Sequence, residues 1–111
     1  MLTNQEMYEE IQNLWYSIAK RDFHHEDLYL YFEEPQKGSG YHGEGEFYIY
    51  TRSDRYYLSY SERGSENIIT ISENFNDIKF EIALVMTDII AYEVIKKYKT
   101  LKDWNDSGIG G

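Results

Sequence analysis

The apolar residues of this chain recur with two different periods, and this change of period constrains the fold more than any other feature. Near the N-terminus the apolar residues have helical spacing, at Met7, Ile11, Leu14, Trp15 and Ile18. Between residues 28 and 72, aliphatic residues and tyrosines alternate as they do along β-strands. From about residue 74 the helical spacing returns. The sequence therefore predicts a helix at each end of a series of strands.

Caps and turns place the boundaries of these elements. Thr3 and Glu6 form a capping-box pattern, and the helix that begins there is predicted to run to about Lys20. The predicted strands cover about residues 28–32, 46–52, 55–62 and 67–72. Short turns between the last three strands indicate antiparallel neighbours. The second helix is predicted from residues 74–77 to about residue 99.

These elements predict an α+β domain with the order α-β-β-β-β-α. We expect a four-stranded antiparallel β-meander, with the N-terminal and C-terminal helices packed on one face of the sheet to bury their apolar stripes. The opposite face of the sheet is then free. The length predicts one domain over residues 1–111, with about residues 100–111 as a loosely ordered tail.

The charge of the chain restricts its partners. With 20 acidic and 11 basic residues the net charge is −9, which argues against binding to nucleic acid or to an anionic membrane surface. A basic protein is the natural complement, although charge of this sign also serves solubility alone. Cysteine is absent, which excludes disulfides and thiolate metal sites. No signal peptide is visible after Met1 and no apolar run has membrane length, so we expect a cytoplasmic protein.

Few residues suggest catalysis or metal binding. The glycine-rich loop 38–45 lacks the Gly-Lys-Ser/Thr ending of a phosphate-binding loop and connects two predicted strands, so it is interpreted as a hairpin loop. His24 and His25 are adjacent, and a metal site that joins one of them to His42 has no recognisable spacing. The carboxylates are interpreted as a solvated rim. We expect no catalytic residue, no metal and no cofactor.

Tyrosine is the most informative residue type, with 12 among the 111 residues. Several tyrosines alternate with aliphatic residues along the predicted strands, which places them on the sheet face away from the helices. Tyrosine is enriched in protein interfaces, but cross-strand aromatic pairs also stabilise half-exposed sheets. If the face binds a partner, Tyr48→Ala or Tyr50→Ala is expected to lower affinity and leave the fold intact.

The chain resembles the small immunity proteins of bacterial polymorphic-toxin and contact-dependent growth-inhibition systems. The resemblance covers the whole chain and is carried by small size, acidity, the α+β layout and the Tyr- and Glu-rich segment from Tyr41 to Tyr50. It implies a cytoplasmic antitoxin that binds a cognate toxin domain and blocks its active site or substrate cleft. Many such toxins are basic nucleases.

The partner-binding residues are predicted from the strand pattern and the charge. They are tyrosines of the free face, carboxylates near strand ends, and two residues of the glycine-rich loop, Tyr41 and Glu44: Tyr29, Tyr31, Tyr41, Glu44, Glu46, Tyr48, Tyr50, Asp54, Tyr57 and Glu62. Two other functions stay open. One is a small-ligand-binding or enzymatic domain with a pocket near loop 38–45, and the other is an oligomerising structural subunit. The oligomeric state is expected to be a monomer or a weak homodimer.

Overall fold

The computed structural model describes residues 1–35 and 45–106. The elements follow the predicted order and are α1 (Asn4–Ala19), β1 (Leu30–Tyr31), β2 (Glu46–Arg52), β3 (Arg55–Glu62), β4 (Ser65–Ser72) and α2 (Phe75–Asp106). The predicted α+β layout, with four strands between two helices, is confirmed. In the described part of the chain, no helix is both long and apolar enough to cross a membrane.

Helix α1 begins at the predicted capping box. The hydroxyl of Thr3 accepts a hydrogen bond from the Glu6 backbone N–H at 3.1 Å, and the Glu6 carboxylate accepts one from the Thr3 N–H at 2.9 Å. The hydrogen bond from the Thr3 backbone, followed by one from the Thr3 side chain, lowers the pKa of the Glu6 carboxyl. The helix ends at Lys20, whose left-handed backbone (φ 58°) turns the chain while its N–H bonds the Tyr16 carbonyl.

The sheet has the order β1-β2-β3-β4, and one pairing differs from the predicted meander. Strands β2, β3 and β4 are antiparallel neighbours, but β1 pairs with β2 in parallel, which makes the sheet mixed. The connection through residues 32–45 is long enough for the crossover of a dozen or more residues that a parallel neighbour needs. The predicted antiparallel arrangement of β1 is therefore wrong, and β1 is shorter than the predicted strand 28–32.

Both hairpin turns use left-handed backbone conformations. Ser53 and Asp54 have φ of 51° and 60°, and Arg63 and Gly64 have φ of 52° and 74°. Two consecutive positive φ values match the twist of the flanking strands, and this turn type favours Asn-Gly sequences. The β2–β3 turn thus forces two residues with side chains into a conformation that L-residues avoid.

Introducing a glycine into one of these turns and removing it from the other should change the free energy of unfolding in opposite directions. We expect Asp54→Gly to raise the free energy of unfolding by about 1 kcal/mol, because glycine adopts positive φ without the Cβ clash. Gly64→Ala should lower it by about the same amount, and since no atom lies within 4 Å of the added Cβ, the loss would come from the backbone alone. Urea unfolding of both variants measures the effect. A destabilising effect of Asp54→Gly would contradict the left-handed backbone conformation assigned to Asp54.

The core lies between the two helices and one face of the sheet, as predicted. Its fully buried members come from every layer: Met7, Ile11 and Trp15 of α1, Ile49 and Leu58 of the sheet, and Ile78, Ile82 and Met86 of α2. Strand alternation sends Phe47, Ile49 and Leu58 to the helix side because they occupy matching positions in the β2–β3 register.

Ion pairs fix α1 and the following loop against α2. The Arg21 guanidinium contacts Asp27 at 2.7 Å and Glu93 at 3.0 Å, and the Lys79 ammonium contacts Glu10 at 2.8 Å. Burial of Asp27 raises the pKa of its carboxyl, but hydrogen bonds from Arg21 and the His24 backbone outweigh burial, so that the pKa lies below its usual value. These contacts position the segment that leads to Tyr29.

Helix α2 is longer than predicted and runs through Asp106. No glycine or proline interrupts residues 75–106, so nothing in the sequence ends the helix near residue 100. Residues 101–106, which were predicted to belong to a loose tail, are therefore helical, and residues 107–111 lie outside the described part. The molecule extends 62 Å along its longest axis, and its 17.3 Å radius of gyration exceeds the roughly 13 Å of a compact domain this long.

Candidate binding surface on the tyrosine face

The sheet face opposite the helices carries the tyrosines that the sequence placed there. Tyr31 of β1 pairs in register with Tyr48 of β2, and Tyr50 of β2 pairs with Tyr57 of β3. Tyr29 lies just before β1 and contacts His25 together with Tyr31. We call these five residues, Tyr29, Tyr31, Tyr48, Tyr50 and Tyr57, the tyrosine face.

The rings of the tyrosine face form two stacks across neighbouring strands. The Tyr31 and Tyr48 rings stack with centroids 5.6 Å apart, and the Tyr50 and Tyr57 rings are nearly parallel at 5.1 Å. The Arg52 guanidinium lies 5.8 Å and 5.7 Å from the centroids of the second stack and forms an ion pair with Glu34. Cross-strand aromatic pairing therefore contributes to the stability of the sheet.

Two glutamates anchor the inner tyrosines. The Tyr48 hydroxyl donates to the Glu46 carboxylate at 3.2 Å, and the Tyr50 hydroxyl donates to Glu66 at 2.6 Å. Burial, followed by the bond to Glu66, raises the pKa of Tyr50. Burial, followed by the charges of Glu46 and Glu33, raises the pKa of Tyr31. Both shifts favour the neutral, protonated hydroxyl.

Exposure divides the tyrosine face into two parts. Tyr48 and Tyr50 are only 1% and 3% exposed, so they are not accessible to a partner and instead pack beside the outer rings. Tyr29 is 47% exposed, and Tyr31 and Tyr57 are partly exposed. A partner would meet these three outer rings, while the buried pair holds them in place. Tyr48→Ala and Tyr50→Ala would remove buried side chains, so we now expect both substitutions to destabilise the fold.

Two isoleucines that sequence reasoning missed extend this surface. Ile68 and Ile71 of the edge strand β4 pair with Ser59 and Tyr57, and they are 45% and 46% exposed. Residues three apart point to opposite faces in a regular strand, but the register shift at Leu58/Ser59 brings both isoleucines to the tyrosine face. Only the strand register reveals this arrangement.

The predicted carboxylates are not brought together. Glu46 is buried and accepts a hydrogen bond from Tyr48, Asp54 lies in the β2–β3 turn, and Glu62 occupies a helix-side position of β3. Tyr41 and Glu44 lie outside the described residues. Glu66, which was not among the predicted residues, joins Glu46 as a second carboxylate in contact with this face, through the Tyr50 hydroxyl. Its position follows from pairing with Ser61, which local sequence does not indicate.

One groove lies on the helix side of the sheet. It has a volume of about 620 Å³ and is open to solvent, with an apolar wall from Leu28, Phe47, Ile69, Val85 and Ile89 and polar groups from Glu62 and Asn67. Gly45, at the end of the glycine-rich loop, lies at its edge. Among the described residues no three His, Asp or Glu side chains are placed to hold a metal ion.

Comparisons with known proteins assign no functional residue in this chain. Comparisons of the chain with models of known protein families, with curated proteins and with solved structures gave no match.

Proposed function

We propose that this protein is a cytoplasmic immunity protein that binds a basic toxin domain of the nuclease type and occludes its active site or substrate cleft. It acts by binding and has no catalytic role of its own. The observation that carries the proposal is the accessible aromatic and aliphatic surface formed by Tyr29, Tyr31, Tyr57, Ile68 and Ile71 on a helix-free sheet face. Single exposed apolar residues are ordinary, but several on one sheet face favour a binding surface.

The inner layer makes this surface suitable for tight binding. Tyr48 and Tyr50 are held by carboxylates at 3.2 Å and 2.6 Å, and each stacks against an outer ring. The outer tyrosines therefore lose little conformational freedom when a partner arrives, which lowers the cost of association. Tyrosine also combines a large apolar area with a hydroxyl that tolerates water in the free state.

Charge supports a basic partner. The chain carries a net charge of −9, and long-range attraction of this kind accelerates encounter with a positively charged protein. A nuclease cleft is positively charged because it binds phosphates. An acidic inhibitor fits such a cleft, and the cytoplasm is the compartment in which a nuclease toxin must be neutralised.

Calorimetry with the toxin domain encoded beside this protein tests the proposal. We expect a 1:1 ratio of chains with nanomolar affinity that weakens as salt rises from 0.05 to 0.5 M. Tyr29→Ala and Tyr57→Ala should each weaken binding by about 30-fold, which corresponds to about 2 kcal/mol for an interface anchor. Thermal unfolding of each variant verifies that the fold is retained.

Tyr16→Ala is the matched control. Tyr16 is 57% exposed, similar to Tyr29, but it lies on α1 away from the tyrosine face. Its variant should bind with unchanged affinity. Unchanged affinity in the Tyr29 and Tyr57 variants would move the toxin contact to another surface. Absence of binding to the neighbouring toxin would reject the immunity function and favour ligand screening at the groove beside Gly45.

A further inference from the structure

Helix α2 has a second apolar stripe on the side opposite the core. Ile78, Ile82 and Met86 face the core and are 0% exposed. The other stripe consists of six solvent-exposed apolar residues: Phe80, Leu84, Ala91, Val94, Tyr98 and Leu101. The five large ones are between 50% and 69% exposed. We call these six residues, together with Thr87, the outer stripe.

The spacing of the outer stripe is that of a coiled coil. From Phe80 to Leu101 its residues are separated alternately by four and three positions, which is the heptad repeat of core a and d positions. A helix buried in a single domain needs only the one stripe that faces its core. Over these residues α2 is about 33 Å long, at about 1.5 Å per residue, enough for three heptads.

The charges beside the outer stripe indicate which partner helix it binds. In heptad terms Glu81 and Lys102 occupy the same flanking position at opposite ends of the stripe. If a second copy of α2 lies antiparallel, Glu81 of each copy meets Lys102 of the other, which gives two complementary pairs. In a parallel pair, Lys97 would instead lie beside Lys102 of the second copy. Two copies of α2 are therefore electrostatically complementary only in the antiparallel orientation.

We propose that this protein forms an antiparallel homodimer through the outer stripe of α2. In the register set by the Glu81–Lys102 pairs, Leu84 packs against Leu101 of the second copy, and Ala91 packs against Val94 of the second copy near the two-fold axis. Antiparallel helix dipoles add a small favourable contribution. Because the stripe and the tyrosine face lie on opposite sides of the molecule, each dimer presents two free tyrosine faces.

Sedimentation equilibrium over a wide concentration range tests the dimer. We expect the wild-type mass to rise with concentration from 13.3 kDa to twice that value. Val94→Glu should remain monomeric at every concentration, because it places charges beside the two-fold axis. Tyr92→Glu is the control, since Tyr92 is 67% exposed on α2 but lies outside the stripe. A wild-type protein that stays monomeric at millimolar concentration would overturn the proposal. A dimer that is dissociated by Tyr92→Glu but not by Val94→Glu would also overturn it.

Charge reversal tests the orientation. Lys102→Glu should weaken the antiparallel dimer at least tenfold by opposing Glu81 of the second copy, and the double variant Glu81→Lys/Lys102→Glu should restore it. A parallel dimer would respond in the opposite way, because Lys102→Glu would relieve repulsion from Lys97. Tighter association of the single variant would therefore overturn the antiparallel arrangement. Toxin binding plays no part in these measurements, so their failure leaves the proposed function unaffected.

Discussion

Replacing Ile82 by alanine is expected to lower the free energy of unfolding by about 2–5 kcal/mol. Ile82 is 0% exposed at the centre of the cluster that joins α1, α2 and the sheet. The substitution removes apolar contacts and leaves a cavity that the packed neighbours cannot fill. For a domain whose total stability is about 5–15 kcal/mol, such a loss unfolds a large share of the molecules on mild warming.

Ile95→Ala provides the matched control for this prediction. Ile95 is the same residue type on the same helix, but it is 64% exposed. Its replacement should change stability by less than about 0.5 kcal/mol when measured on dilute monomer. Urea unfolding followed by circular dichroism gives both values. Equal effects of the two substitutions would contradict the orientation of α2 and, with it, the assignment of the outer stripe.

Tyr48→Ala should destabilise the protein by about 3–5 kcal/mol, the range for removal of a buried aromatic ring. Tyr48 is 1% exposed and stacks on Tyr31, so its loss opens the inner layer of the tyrosine face. Tyr48→Phe keeps the ring and should cost about 1–2 kcal/mol, because the Glu46 carboxylate loses a hydrogen-bond donor while it is only 6% exposed.

Tyr29→Ala separates folding from binding. Tyr29 is 47% exposed, so its removal should leave the free energy of unfolding within about 0.5 kcal/mol of wild type. Thermal and urea unfolding of the three variants rank them as Tyr48→Ala, Tyr48→Phe and Tyr29→Ala in order of decreasing damage. A Tyr48→Ala variant with wild-type stability would mean that the inner layer does not support the sheet. Interface mapping should therefore use the outer residues.

The sequence predicted the local elements well wherever one pattern acted alone. The β2 and β3 boundaries match the predicted 46–52 and 55–62, and the capping box forms as expected at Thr3 and Glu6. The prediction was less accurate where no local signal marked the end or the direction of an element. The end of α2 depended on helix propensity that continues past Lys99, and the direction of β1 depended on a connection whose path no local pattern specifies.

By itself, the sequence determined the order of the helices and strands, the side of the sheet on which each tyrosine of β2 and β3 lies, and the net negative charge of the chain. These features follow from local periodicity and from charge, which do not require knowledge of distant contacts. The tertiary structure alone decided which tyrosines are accessible, since burial depends on neighbouring strands and loops. It also decided that Glu66 anchors Tyr50 and that Ile68 and Ile71 share one face, because strand register and a bulge join residues that are separate in the chain.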